Sequence, residues 1–178
     1  MFKKILIALD RSELSNHVFE QGLALAKLAG ARLMLLQVLS VEEEGSPYGP
    51  MLSSFDYYPA VDDRSFEFYQ QQWNIFKKKG IELLQAFSAK ANTAGIDTEF
   101  TQNPGSPGPT ICHVARSWGA DLIVMGRRGH SGLTELFLGS VSNYVLHHAP
   151  CSVHIVHLPV AADTSESEKQ STNTADVS

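Results

Sequence analysis

Ile5-Leu6-Ile7-Ala8-Leu9-Asp10-Arg11-Ser12 opens the chain with an unbroken apolar run, then a carboxylate, then a residue suited to starting a helix. A short apolar run of this kind fits a strand buried on both faces of a parallel sheet. Ser12 is a candidate N-cap, and Leu14, Val18, Gly22, Leu25 and Ala29 follow at steps of three and four until Gly30 supplies a stop. The same alternation continues along the chain. Arg32–Leu39 is a second apolar strand. Phe66, Tyr69, Trp73, Phe76, Leu83, Phe87 and Ala91 mark one face of a long helix ending near Gly95. Ile96–Gln102 reads as a third strand, and Pro107 and Pro109 open a helix faced by Ile111, Val114, Ala115 and Trp118. Asp121–Met125 is the fourth strand, Val141–His148 a last helix stopped by Pro150, and Ser152–His157 the final strand. Five strands alternating with four helices predict an α/β fold, a doubly wound and mainly parallel sheet.

Composition bounds the function. The 178 residues suit one domain, with two cysteines allowing at most one disulfide. No apolar run has the length of a membrane span, and Ile5–Leu9 is too short for a signal segment, so a cytoplasmic location is expected. Nineteen acidic against fourteen basic residues argue against nucleic acid or an anionic membrane as the partner. Residues 1–160 are expected to form the domain. Ala161–Ser178, rich in Ser, Thr and acidic residues, has too little apolar surface to order itself and reads as a disordered tail. Glu42–Arg64, broken by Pro47, Gly49, Pro50 and Pro59, is a long irregular loop. Its Tyr48, Phe55, Tyr57 and Tyr58 leave from the ligand side, either as a lid or partner site or as a crossover without a role.

Open parallel sheets bind ligands outside the carboxyl ends of their strands. Ala8-Leu9-Asp10, Val38-Leu39 and Met125-Gly126 stand there. After the fourth strand comes Gly126-Arg127-Arg128-Gly129-His130-Ser131-Gly132, whose glycines let backbone N–H groups approach an anion closely. Gly139-Ser140-Val141-Ser142 then starts the last helix, and exposed N–H groups at a helix N-terminus suit a phosphate. The serine hydroxyls donate to phosphate there, or Ser140 caps the helix. No lysine lies between Lys90 and Lys169, so a Walker A loop is absent, and Leu9-Asp10-Arg11-Ser12 carries no dinucleotide fingerprint.

The spacing Gly126-x2-Gly129-x9-Gly139-Ser140 resembles the G-x2-G-x9-G-[ST] signature of the ATP-binding branch of the universal stress protein family. Ile5–Asp10 with Ser12, Gly105-Ser106-Pro107 with Ile111, Ala120–Gly126, and Val141 through Val153 are similar to further blocks of that family in the same order, so the resemblance covers residues 2–158. It implies a Rossmann-like sheet of the adenine nucleotide alpha hydrolase-like kind. It also implies ATP, or another adenine nucleotide, lying across the strand ends with Mg²⁺ or Mn²⁺. By position, Ala8 and Asp10 would border adenine and ribose, Val38 would bond adenine through its backbone, and Gly126 through Gly132 would wrap ribose and phosphates. Gly139, Ser140, Val141 and Ser142 would cradle the β- and γ-phosphates. Ala8 stands where such members often have proline, and Arg11 where they often have glycine; both departures lie in the adenine half.

Of the adjacent Arg127 and Arg128, one is a phosphate partner and the other solvated. His130 is either a phosphate donor or a loop residue. His147 and His148 suit a helix C-terminus, and His154 and His157 face opposite sides of a strand, which is poor metal geometry. Cys112 and Cys151 read as buried packing residues, and no dedicated metal site is expected. The family implies a homodimer through Ser152–His157, with any regulatory protein partner left open. Two functions follow: a nucleotide-dependent stress sensor, or a slow ATPase or autokinase with Ser140 or Ser142 as phosphoacceptor. No catalytic base is identifiable, since Glu135 lies in the variable stretch. AMP or a cyclic dinucleotide is the alternative ligand.

Overall fold

Ile5, Leu6 and Ile7 have no exposed surface, because the strand that carries them, β1 (Lys4–Leu9), is covered on both faces and paired on both edges. The computed structural model describes residues 1–41, 43, 45–47, 63–127 and 138–157. Within them β1 is followed by α1 (Leu14–Ala29), β2 (Arg32–Leu39), α2 (Asp63–Thr93), β3 (Thr98–Pro104), α3 (Pro107–Trp118), β4 (Leu122–Gly126), α4 (Ser140–His148) and β5 (Ser152–Val156). The sheet order is β3-β2-β1-β4-β5 and every pairing is parallel. The expected doubly wound α/β fold is what forms, with all five strands parallel. The tail after residue 157 and most of segment 42–64 lie outside the described residues.

Strand alternation sorts the side chains into two layers. Ile5, Ile7 and Leu9 of β1, with Leu33, Leu35, Leu122 and Val124, face α1 and α2, where Phe19 stacks on Phe87 at 4.4 Å between ring centroids. Leu6, Met34, Leu36, Val38, Ile123 and Met125 face α3 and α4. Gly22 lets α1 close on the sheet: a Cβ there would stand 2.3 Å from Cδ1 of Ile7. At the amino end of the sheet, the Lys3 and Lys4 N–H groups donate to Asp121 Oδ2 at 2.8 and 2.9 Å, tying β1 to the entry of β4. These two bonds hold the Asp121 carboxyl below its ordinary pKa.

Two helix details differ from expectation. Ser12 does not cap α1: Glu13 is the N-cap residue, and the Ser12 hydroxyl donates to Asp10 Oδ1 instead. Phe66 is 55% exposed, and the buried stripe of α2 begins at Phe76 and continues through Leu84, Phe87 and Ala91. The cause is length. A helix of 31 residues spans about 46 Å at 1.5 Å per residue, whereas an eight-residue strand spans about 26 Å, so the first turns overhang the sheet.

Phe87→Ala removes the ring that locks α2 to α1 and is expected to lower the unfolding free energy by about 3–5 kcal/mol, measured by urea denaturation. A loss below about 1 kcal/mol would show that this layer is not packed as described.

Candidate functional site

The register of β1 creates a crevice. Its pairing with β2 stops at Leu9↔Gln37 and its pairing with β4 at Ala8↔Met125. Both neighbours run on, Val38 and Leu39 paired outward to β3 and Gly126 outward to β5. Sequence order reverses at β1, so this is the switch point at which doubly wound sheets hold ligands. A cavity of about 330 Å³ occupies it, within the range of small-molecule sites.

Ala8, Asp10 and Val38 line the cavity on the β1–β2 side, and Gly126, Gly139, Ser140, Val141 and Ser142 line it on the β4 side. The structure thus brings together eight of the predicted residues from separate parts of the chain. Arg127 adjoins them, its N–H donating to the Val156 carbonyl at 3.1 Å and extending β4 along β5. Arg128, Gly129, His130, Ser131 and Gly132 lie outside the described residues. Arg11 leaves the cleft, its guanidinium lying 5.0 Å from the centre of the Phe76 ring on α2.

Asp10 is held rigidly. Its Oδ1 accepts the Ser12 N–H at 2.9 Å and the Ser12 hydroxyl. The Ser15 hydroxyl accepts the Asp10 N–H at 2.9 Å, and its single proton goes to the Asp10 carbonyl at 2.7 Å or to Oδ1 at 2.9 Å. Asp10 therefore fixes the turn between β1 and α1 and also lines the cavity. At the other side α4 starts from Gly139, whose φ of −60° and ψ of 157° any residue can adopt. Ser140 follows Gly139 as the first helical residue and is exposed, so it does not cap the helix. Ser142 is buried, with its hydroxyl donating to the Gly126 carbonyl at 3.4 Å.

The glycines separate into two kinds. A Cβ on Gly126 would come within 2.6 Å of Leu14 Cδ2 and 3.1 Å of Val18 Cγ2, so packing against α1 requires a glycine there. No backbone conformation demands one at Gly139.

Sequence reasoning missed several lining residues, among them Ser15, Ser40, Glu43 and Pro107. Glu43 is the most informative: a carboxylate only 5% exposed, its Oε1 accepting from Gln37 Nε2 at 3.1 Å. A signal existed, since Gln37 interrupts the apolar run of β2 and a buried amide requires a partner. Cys112 is buried and Cys151 half-buried; both are free thiols, pushed above the ordinary thiol pKa by burial. Among the described residues no three His, Cys, Asp or Glu side chains converge as a metal group, and no helix is long and apolar enough to cross a membrane.

The family model for the universal stress protein family matches residues 1–157. The chain belongs to the universal stress protein family. It is 36% identical over 155 residues to universal stress protein Sll1388 of Synechocystis, covering 87% of this chain and 97% of that protein. It is 35% identical over 156 residues to universal stress protein YxiE of Bacillus subtilis, covering 88% and 99%. Among solved structures it is similar to protein MJ0577, with a TM-score of 0.68 at 23% identity over 90% of this chain and 99% of the other. An Arabidopsis thaliana universal stress protein with AMP bound gives 0.57 at 22% identity, covering 86% and 90%. A universal stress protein in complex with cAMP gives 0.57 at 20% identity, covering 88% and 97%. At these identities the structural likenesses speak to the fold, which is the universal stress protein fold.

Gly126→Ala is expected to cost about 1–3 kcal/mol of ligand-free stability through overpacking against α1. Gly139→Ser, which installs a better N-cap, should leave stability within about 0.5 kcal/mol. Denaturation midpoints of the two variants test this; equal losses would remove the distinction between the glycines.

Proposed function

We propose that this universal stress protein binds an adenine nucleotide in the β1 crevice, with ATP accompanied by Mg²⁺ or Mn²⁺ as the ligand. One observation carries the reading: the N-terminus of α4 opens onto the same cavity that Asp10 and Val38 line. The cavity is polarised. On the β4 side the first-turn N–H groups of α4 and the exposed Ser140 offer donors to phosphate oxygens. On the β1–β2 side the apolar wall of Ala8, Leu36 and Val38 suits a base, and Asp10, which lines the same cavity, offers an acceptor for ribose hydroxyls. The N-cap glycine that no conformation requires makes sense where a phosphate must approach the backbone. The AMP- and cAMP-bound relatives support the adenine half of the reading.

A binding and sensing role fits better than catalysis, because Asp10 Oδ1 already accepts the Ser12 N–H and hydroxyl, which ties the carboxylate to the turn before α1. The protein acts as a dimer in this reading. β5 is an edge strand among the described residues, and an open edge offers unpaired backbone groups to a second copy.

Isothermal titration with ATP and AMP in the presence of Mg²⁺ tests the assignment. ATP binding at least tenfold tighter than AMP is expected if the start of α4 reads the outer phosphates. Equal affinity would move the reading to an adenylate sensor, and binding of neither would overturn it. Light scattering after size exclusion is expected to give twice the 19.5 kDa chain mass; a monomer mass would refute the β5 dimer.

A further inference from the structure

The outward face of α2 carries a pattern that the nucleotide site does not use. Leu84, Phe87 and Ala91 are buried against the sheet side, whereas Ile75, half a turn round the helix from Leu84, is 41% exposed. Phe68, about two turns before Ile75, shares its side and is 60% exposed. Phe68, Gln71, Ile75 and Lys78 follow one another at steps of three and four, the spacing of a seam between paired helices, and all four are exposed. Polar residues at seam positions fix register while weakening the contact. Glu67, Gln71, Asn74, Ile75 and Lys78 line a shallow groove along this face. An acid stands at one end of the groove and a base at the other, about 16 Å apart along the helix axis. Lys78 Nζ lies 3.9 Å from Glu82 Oε1, yet its side chain is 79% exposed, which leaves donors for a further carboxylate.

This order of side chains is complementary to itself. Turning a second copy end for end about a two-fold axis midway between Gln71 and Asn74 sets Glu67 against Lys78 of that copy and Gln71 against its Asn74. Each pairing then occurs twice, as a two-fold interface requires. Such an axis also keeps each flank of the helix against the same flank of the other copy. Phe68 and Ile75 share one flank, so they meet Ile75 and Phe68 of the second copy, while Glu67, Asn74 and Lys78 share the other flank. A parallel pair would instead bring Glu67 to Glu67 and Lys78 to Lys78. We propose that the outward face of α2 binds a second copy of this chain as an antiparallel helix pair. The seam is far smaller than the roughly 800 Å² per partner of a stable interface, so the contact is weak and depends on concentration. It does not compete with the β5 edge, because α2 packs on β2 and β3 at the other end of the sheet. A dimer formed through β5 therefore carries two such faces, and pairing between dimers builds a larger assembly.

Sedimentation equilibrium of the full chain at concentrations up to about 1 mM tests the proposal. The mass is expected to rise with concentration above its dilute limit. That limit reports the β5 contact and the rise reports the α2 contact, so the two readings fail separately. Glu67→Lys and Lys78→Glu each set like charges together twice across the axis. Each alone should raise the concentration needed for the rise by at least about tenfold. Both positions are exposed, so the fold is retained. Mixed in equal amounts, the basic face of Glu67→Lys meets the acidic face of Lys78→Glu, and the rise should return. The double variant, with the two charges exchanged, should associate like the unaltered chain. A mass that stays at its dilute limit overturns the proposal, which is the result if another part of this chain or an unrelated protein covers the face. A rise that survives both charge reversals, or a mixture that stays apart, overturns it as well.

Discussion

Everything in this molecule depends on β1 being the central strand from which the chain winds in both directions. β2 and β3 add to one edge, β4 and β5 to the other. Parallel strands need crossovers, and right-handed crossovers to opposite edges place their helices on opposite faces. That is why α1 and α2 share one layer and α3 and α4 the other, and why Ile5, Leu6 and Ile7 see no solvent. The crevice is the second consequence. Loops leaving β1 and β4 turn to different faces, so a gap opens above the carboxyl end of β1 and cannot be filled by either connection.

The cleft is built from groups that the fold has already satisfied. Asp10 is fixed by Ser12 and Ser15, Ser142 leans on Gly126, and Glu43 is held through Gln37 and Gln102. Such side chains lose little freedom on meeting a ligand, which is the physical content of preorganisation. The two glycines at the β4 side show how one short motif mixes requirements. Gly126 is constrained by Leu14 and Val18 from behind, whereas Gly139 presents an ordinary N-cap backbone to the cavity. The glycine spacing therefore reflects packing at Gly126 and no backbone requirement at Gly139.

Arg11 lies over Phe76 and, with the polar contacts of Gln37 and Gln102, joins the carboxyl end of the sheet to the middle of α2. The overhanging first turns of that helix carry Phe66 and Phe68, both exposed. The helix is thus anchored at its centre by polar contacts and in its second half by Phe87 and Ala91.

The sequence by itself determined the elements and much of the lining of the cavity. Apolar runs of strand length, helical periodicities and the Gly30, Gly95 and Pro150 punctuation were legible because they are local consequences of backbone geometry and burial. The cavity residues at the start of α4 were legible because a helix N-terminus exposes backbone N–H groups whatever surrounds it. The exposure of Phe66 was not legible, since periodicity gives a face and says nothing of how far the sheet beneath extends. The role of Ser12 was misread because its hydroxyl had two acceptors in reach, a backbone cap and Asp10, and only the three-dimensional turn chose between them. Glu43 was hidden in an irregular stretch where nothing local distinguishes a solvated acid from a buried one. Its partner comes from β2, that partner's partner from β3, and the carbonyl that orients all three from α2. Hydrogen-bond direction is a property of the assembled network, so only the tertiary structure could decide how these side chains pair.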